Sequence, residues 1–375
     1  MSRSFELVGL DGTNPLGFLA SLGVLVTLSE KGAREVRLRW VRRHTWVPGL
    51  DGVSAATEDD LAGVVADGLR GRPVSADAER ELEAVRKAME AAKTALKKKR
   101  QELKRRRLGR AEGNEARERE LRPLEEAWQA RRDEYVRALR AGVPRGELAL
   151  GKRVEDATRE GYREVAEGLL ASSGPASRDE LDVLAALASD ACLERGVLQP
   201  TPFEFTRGSG HQSFLEDVRQ LIGCVTDRRV SQCLFRPWDY RDEGRSLRWD
   251  PVEDRRYALL DRDPSGEGAR TVWMANLLAY RGLTLYTSVP TGRGLATVGW
   301  RSDEDGAMAF TWPLWEGSLA VDGVRAAVAL PELVAERPEN ATLRARGIFA
   351  AYRARRIVVG GGTNRKINFA PARRV

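Results

Sequence analysis

Between residues 77 and 142 the chain is dense in charge and sets apolar residues at helical spacing in two stretches, a pattern that suits a helix and little else. Leu82, Val85, Met89, Ala92, Leu96 and Leu103 fall on the a and d positions of a heptad. After Ala92 the d positions become Lys99 and Arg106, so the apolar seam frays where the charge rises. "LGRAEGNEA" supplies Gly109 and Gly113 for a reversal, after which Leu121, Leu124, Trp128 and Tyr135 resume a heptad-like stripe. Pro123 sits early in the second arm, where a missing N–H is best tolerated. The expectation is a coiled-coil-like α-helical hairpin over 76–142, with arms of roughly 30 residues and a length of about 45 Å.

The remainder reads as a body interrupted by that hairpin. "SFELVGL" alternates like a strand, "DGTNP" is turn chemistry, and "LGFLASLGVLVTLSE" is a mostly apolar helix ended by Gly32. A helix apolar nearly all round is buried. Asn14 stands at its start, as a cap or as a polar contact. "EVRLRW" then puts Val36, Leu38 and Trp40 on one face. Residues from 200 onward alternate short strands, turns and helices, with no internal repeat. With 375 residues, 42% of them hydrophobic, a sizeable core is available. The fold class expected is α+β: a mixed-sheet body with an inserted long helical hairpin. The divisions expected are an N-terminal part (1–75), the hairpin (76–142), a helical connector (143–198) and a C-terminal part (199–375).

Charge is distributed unevenly. Residues 93–107, "KTALKKKRQELKRRR", hold nine bases and one acid, a contribution of +8; residues 343–375 hold nine bases and no acid, a contribution of +9. The chain as a whole carries +7, so everything outside these two segments sums to −10. Two cationic segments on an acidic body are the footprint of a polyanion partner. At the hairpin tip the candidate nucleic-acid-binding residues are Lys97, Lys98, Lys99, Arg100, Lys104, Arg105, Arg106 and Arg107; the bland alternative is a solvated helix face. In the C-terminal tail they are Asn364, Arg365, Lys366, Asn368, Arg373 and Arg374. Gly360-Gly361-Gly362 precede them without the GxxxxGK[ST] or GxGxxG pattern and without chain enough for a following helix. They therefore read as a hinge after the final strand, letting a cationic tail lie along a phosphate backbone.

Three local motifs compete for chemistry. "TRGSGHQSF" offers Arg207, Ser209, His211 and Gln212 as donors just ahead of a helix N-terminus, where an anion is favoured. His211 lacks a nucleophile and an orienting carboxylate at diagnostic spacing, so it reads as a hydrogen-bonding residue rather than a general base. "RWDPVEDRRYAL" sets Asp250, Glu253 and Asp254 close together, with Arg248, Arg255 and Arg256 as ready partners; a structural charge network is favoured over a metal site. Trp312 and Trp315 in "FTWPLWEG" suit core packing more readily than base stacking. Three cysteines and two histidines give no metal-ligand spacing and no disulfide framework. No cofactor, metal or catalytic residue is expected. With no apolar run near the roughly 18 residues of a membrane span and no signal-like N-terminus, a cytoplasmic protein without membrane contact is expected.

"GLDGTNPLGFLASLGVL", "PFEFTRGSGHQSFL", "RWDPVEDRRYAL", "FTWPLWEGSLAVDGVRAAVALPEL" and "LRARGIFAAYRARRI" together resemble proteins encoded with CRISPR systems of type I, subtype G (formerly U). The resemblance covers about residues 5–50 and 200–370, and is most similar to the large-subunit class of the Cascade effector complex. It implies a non-enzymatic subunit in antiviral defence whose partners are target DNA, crRNA, other Cascade subunits and the Cas helicase-nuclease. It also implies recognition of the short motif flanking the target and help in opening the duplex. Large subunits commonly carry a helical bundle at the C-terminus, whereas the longest helices here lie before the middle. Two alternatives stand beside this reading. One is a metal-dependent nuclease using Asp250, Glu253 or Asp254; the other is an assembly subunit whose cations meet acidic protein partners.

Overall fold

The computed structural model describes all residues except 1–2, 33–34, 107–108, 173–174, 195, 207–211, 254–269, 303–304 and 360–365. The chain is α+β, and it divides into two compact units, a body of Met1–Gly71 with Lys152–Val375 and a helical unit of Arg72–Gly151. Residues 143–151 thus group with the helices, and the rest of the expected connector packs as part of the body.

The body opens with β1 (Arg3–Glu6), α1 (Pro15–Glu30), β2 (Arg37–Arg42), β3 (Trp46–Val53) and α2 (Glu58–Arg70), the strands forming an antiparallel sheet in the order β1-β3-β2. Asn14 caps α1: its Oδ1 accepts from the N–H groups of Leu16 and Gly17 at 2.8 and 3.3 Å, while Pro15 occupies the first turn. Every residue from Pro15 to Leu28 is buried, as its all-round apolarity requires.

The helical unit holds α3 (Ala76–Arg106), α4 (Arg110–Ala116) and α5 (Arg122–Gly142), with a π-helical turn at Arg117–Leu121 joining α4 to α5. Pro123 accounts for that turn, because it has no N–H to give the carbonyl four residues back and its ring crowds that carbonyl. α3 and α5 lie side by side and antiparallel. Lys99 reaches Glu120 and Arg100 reaches Glu125 near one end, and Gly142 abuts Ala78 and Leu82 at the other. A side chain at 142 would press within 3.3 Å of the Ala78 carbonyl oxygen. Of the expected seam on α3 only Met89 and Leu96 are buried; Leu121, Tyr135 and Leu139 are buried on the return.

The body resumes with α6 (Arg159–Ala171), α7 (Pro175–Leu187), β4 (Leu193–Glu194), β5 (Val197–Leu198), α8 (Phe214–Gly223), α9 (Asp227–Phe235), β6 (Asp242–Glu243), β7 (Arg270–Thr271) and α10 (Trp273–Gly282). Then follow β8 (Ser288–Thr291), β9 (Gly294–Thr297), β10 (Trp300–Ser302), β11 (Met308–Trp315), α11 (Val321–Val328), α12 (Asn340–Ala345), β12 (Ile348–Val359), β13 (Lys366–Phe369) and β14 (Arg373–Arg374). The central contact is α1 against α10. Gly23 of α1 meets the Leu278 carbonyl and Gly282 of α10 meets the Leu19 carbonyl so closely that no Cβ fits at either. Arg281, fully buried on α10, pairs with Glu30 at 2.7 Å.

The second sheet runs β10-β11-β12-β13, with β14 also on β12. Pro313 is tolerated inside β11 because β10 pairs only residues 308–310, which leaves the strand with one neighbour where the proline sits. Trp312 and Trp315 are core residues. Their indole N–H groups donate to the carbonyls of Gly12 (2.9 Å) and Leu38 (3.1 Å), and both rings pack on Phe18. The expectation of a final strand followed by a free basic tail is corrected here. Residues after 365 form two more strands on β12, pinned by Phe369, which is fully buried against Phe205 and Trp300 with ring centroids 4.7 and 5.7 Å away.

Candidate nucleic-acid interface

The basic run of α3 is too dense for all its cations to face one way at 3.6 residues per turn, and the helix sorts them. Lys99 and Arg106, seven residues apart, both reach the carboxylate of Glu120, at 3.2 and 2.8 Å. Arg100 reaches Glu125 at 2.7 Å. The guanidinium of Arg106 and the ammonium of Lys99 hold the Glu120 carboxyl below its ordinary range, and Glu102 and Glu120 raise Lys99. These three cations are engaged within the unit, so they are not free donors in the way the sequence alone suggests. Lys97, Lys98, Lys104 and Arg105 are exposed and make no ion pair with any described residue. Arg107 lies outside the described residues. One turn further back, Lys93 is exposed as well.

On one side of α3, Lys97 and Lys104 of this set border a groove of about 410 Å³ lined by Lys93, Leu96, Lys97, Arg100, Gln101 and Lys104, together with Trp128 from α5. Four cations and no carboxylate line it.

The C-terminal candidates are arranged differently. Asn368 is 3% exposed, inside the sheet, and is not a surface donor. Arg374 gives its guanidinium to the Phe349 carbonyl at 2.9 Å. Lys366 and Arg373 are exposed on strands. Asn364 and Arg365 lie outside the described residues, as do the three glycines. Upstream, Arg353 donates to the carbonyls of Glu336, Leu333 and Ala335 at 2.7–3.0 Å, and Arg355 pairs with Asp305 at 3.1 Å. These arginines hold the sheet to its loops.

Of the glycine loop, Arg207, Ser209 and His211 fall outside the described residues. Gln212 is turned into the body, accepting from Arg248 Nε at 2.8 Å and donating to the Ser246 carbonyl at 3.2 Å, so it is spent on structure. Arg248 and its neighbours Tyr240 and Arg245 all sit at positive φ, a strained cluster in a segment of nine residues.

Asp250 is fully buried, and burial raises its carboxyl above the ordinary range. Its oxygens accept from Asn14 Nδ2 and the Tyr240 hydroxyl, each at 2.9 Å, and from the Val252 N–H. Asn14 therefore both caps α1 and ties the start of the chain to a residue 236 positions later. Both oxygens of Asp250 are occupied by neutral donors, which is the arrangement of a structural carboxylate. Among the described residues no group of three histidines, cysteines or acids is placed to hold a metal ion.

One cationic feature escapes a reading by charge runs. A cleft of about 300 Å³ on the body is bordered by Arg228, Arg236, Arg241 and Trp238, with Asp239 and Asp242 also in its wall. Arg228 and Arg236 are exposed and make no ion pair with described residues, while Arg229 pairs with Asp242 and lies over the Trp273 ring at 4.5 Å. Asp227, Asp239, Asp242 and Glu243 dilute the local charge in sequence, and in the fold Asp239 and Asp242 line the cleft too, pairing with Arg241 and Arg229 and leaving Arg228 and Arg236 without ion pairs among the described residues.

No family model matches the chain, and no curated protein matches it. Among the described residues no helix is long and apolar enough to cross a membrane.

Proposed function

We propose that this protein is a nucleic-acid-binding subunit of a type I CRISPR effector complex, of the large-subunit class that its sequence motifs resemble. It works in the cytoplasm, contacts target DNA or crRNA through a coiled-coil-like hairpin, and joins other Cascade subunits and the helicase-nuclease. One observation carries the binding part: α3 splits its cations into a set neutralised by Glu120 and Glu125 and a set, Lys97, Lys98, Lys104 and Arg105, left exposed without ion pairs among the described residues. Pairing the inward cations keeps the helix from repelling itself; leaving the outward ones unpaired gives a phosphate backbone somewhere to bind. The body adds two exposed arginines, Arg228 and Arg236, beside a cleft.

The test is the salt dependence of binding. Reversing Lys97, Lys98, Lys104 and Arg105 to glutamate in the full chain should lower affinity for nucleic acid and flatten the slope of log K against log salt by about 3, since each lost phosphate contact removes roughly 0.7–0.9 from it. An unchanged affinity and slope would remove the hairpin from the interface. Binding to acidic partner subunits with no nucleic acid retained would replace the reading with that of an assembly protein.

A further inference from the structure

The groove beside α3 deepens that reading, on which it rests, by pointing to the form of nucleic acid bound. Lys93, Lys97, Arg100 and Lys104 follow one another at four, three and four residues. That spacing sets them in a line of about 16 Å along one helix face at 1.5 Å per residue. Lys93, Lys97 and Lys104 make no ion pair with described residues, and no acid lines the groove. Its remaining walls are apolar or neutral: Leu96, only 5% exposed, Gln101, and the half-buried indole of Trp128 reaching across from α5. The guanidinium carbon of Arg132 lies 5.8 Å from the Trp128 ring centroid, one helical turn along, and helps hold the ring in place.

A line of cations alone would serve any polyanion. An aromatic ring set into that line serves one class better, because a base can lie on an indole only when it is free of its own stack. In a duplex the bases are stacked and paired, so the phosphates would meet the lysines and the indole would contribute nothing. An acidic peptide would use the lysines and lacks a base to stack. We propose that the groove between α3 and α5 binds a single-stranded stretch of nucleic acid, with Lys93, Lys97 and Lys104 along its phosphates and Trp128 stacking one base. The shared chemistry is that of unpaired RNA and of displaced single-stranded DNA alike. The lysine stems add apolar wall while their ammonium groups stay in solvent.

The experiment measures binding of labelled oligonucleotides of about 10 nucleotides to the full chain by fluorescence anisotropy. The oligonucleotides are an RNA strand, a DNA strand and the corresponding DNA duplex. Trp128→Ala should weaken both single strands by roughly 5- to 100-fold and leave the duplex within a factor of about two. Trp128→Phe, which keeps a stacking face and protects against a mere packing defect, should retain most of the affinity. Circular dichroism confirms that each variant keeps its helices. If Trp128→Ala, still helical, binds single strands as wild type does, or loses duplex equally, the stacking site is overturned while nucleic-acid binding stands. If Trp128→Ala loses its helices, Trp128→Phe decides: single-strand binding as weak as in the alanine variant overturns the proposal, and wild-type-like binding that a Lys97→Glu/Lys104→Glu variant then abolishes supports it. If wild type binds none of the three oligonucleotides, the functional reading itself falls. A preference of the single-strand arms for RNA or for DNA tells which source fills the groove.

Discussion

Residues 93–107 contribute +8 and residues 343–375 contribute +9, yet the described cations of the first run follow one helix, whereas Arg353, Arg355, Arg356, Lys366, Arg373 and Arg374 of the second lie on strands of a five-stranded sheet. On α3 the period of 3.6 turns alternate cations away from one another, so that glutamates on the return arm neutralise some and leave others exposed. On β12 the period of 2 sends half the side chains toward the loops, where Arg353 meets three carbonyls and Thr311 Oγ1. Net charge therefore predicts how much cation a segment has, and secondary structure decides how much of it a ligand can reach.

The largest test of this contrast is made at the end of the sheet. Phe369 anchors β13 in an aromatic cluster with Phe205, Trp300 and Phe310, and Phe369→Ala should cost about 3–5 kcal/mol of stability. Urea unfolding of the variant would show it as a shifted midpoint. A loose basic tail predicts no shift at all, so an unchanged midpoint would break the comparison by returning residues 366–375 to the status of a free arm.

A smaller effect separates the two units by pH. Asp217 on α8 is 8% exposed, and its desolvation, reinforced by the neighbouring Glu216 carboxylate, pushes its carboxyl up to about 7. A raised folded-state value means that the folded chain holds this proton more tightly than the unfolded chain. The stabilisation is therefore present at low pH, below the ordinary carboxylate value near 4, and is lost as pH rises through about 7. Glu120 in the helical unit is lowered instead, so its contribution persists above the ordinary range and is lost only in acid. Asp217→Asn should raise body stability at pH 8 by on the order of 2 kcal/mol and by much less at pH 5. Thermal melts of variant and wild type at the two pH values decide it; an equal gain at both would show that Asp217 does not titrate between them.

How much of this was legible depended on whether a residue's partner lay nearby in sequence. The apolar helix at 16–28, the turn at Asp11–Asn14 and the helical character of 77–142 follow from local pattern alone, whereas the break of the second arm at Arg117–Leu121 and the sparse burial of the seam do not. The pairing of Lys99 and Arg106 with one glutamate required the register between the two arms, which a fraying seam with only Met89 and Leu96 buried does not specify. The partnership of Asn14 with Asp250 spans most of the chain and leaves no local trace. The tail was misread because three glycines and a run of bases look like an unstructured end. Ile367 and Phe369 alternate like strand residues, but four residues are too few to overrule composition. Trp128 was read only as a seam residue, although its place at the same level as the lysines of α3 makes it part of the groove.

The smallest and sharpest prediction concerns Glu120, the residue that separates displayed from neutralised cations. Its carboxylate accepts from Lys99 at 3.2 Å and Arg106 at 2.8 Å, and both contacts lie at the surface within reach of solvent, so they contribute little to stability. Glu120→Gln keeps the shape and one acceptor oxygen while removing the charge that holds the two bases. Their cationic character then becomes available to a phosphate backbone. The slope of log K against log salt should steepen by up to about 1.5, with affinity rising several-fold at low salt and helical content unchanged. This variant adds no positive residue, so a steeper slope can come only from cations already present and previously neutralised. If the slope stays as it was, pairing within the unit does not govern which cations a ligand meets. The run at 93–107 would then act as a diffuse charge, and the difference between the two cationic segments would reduce to one of position.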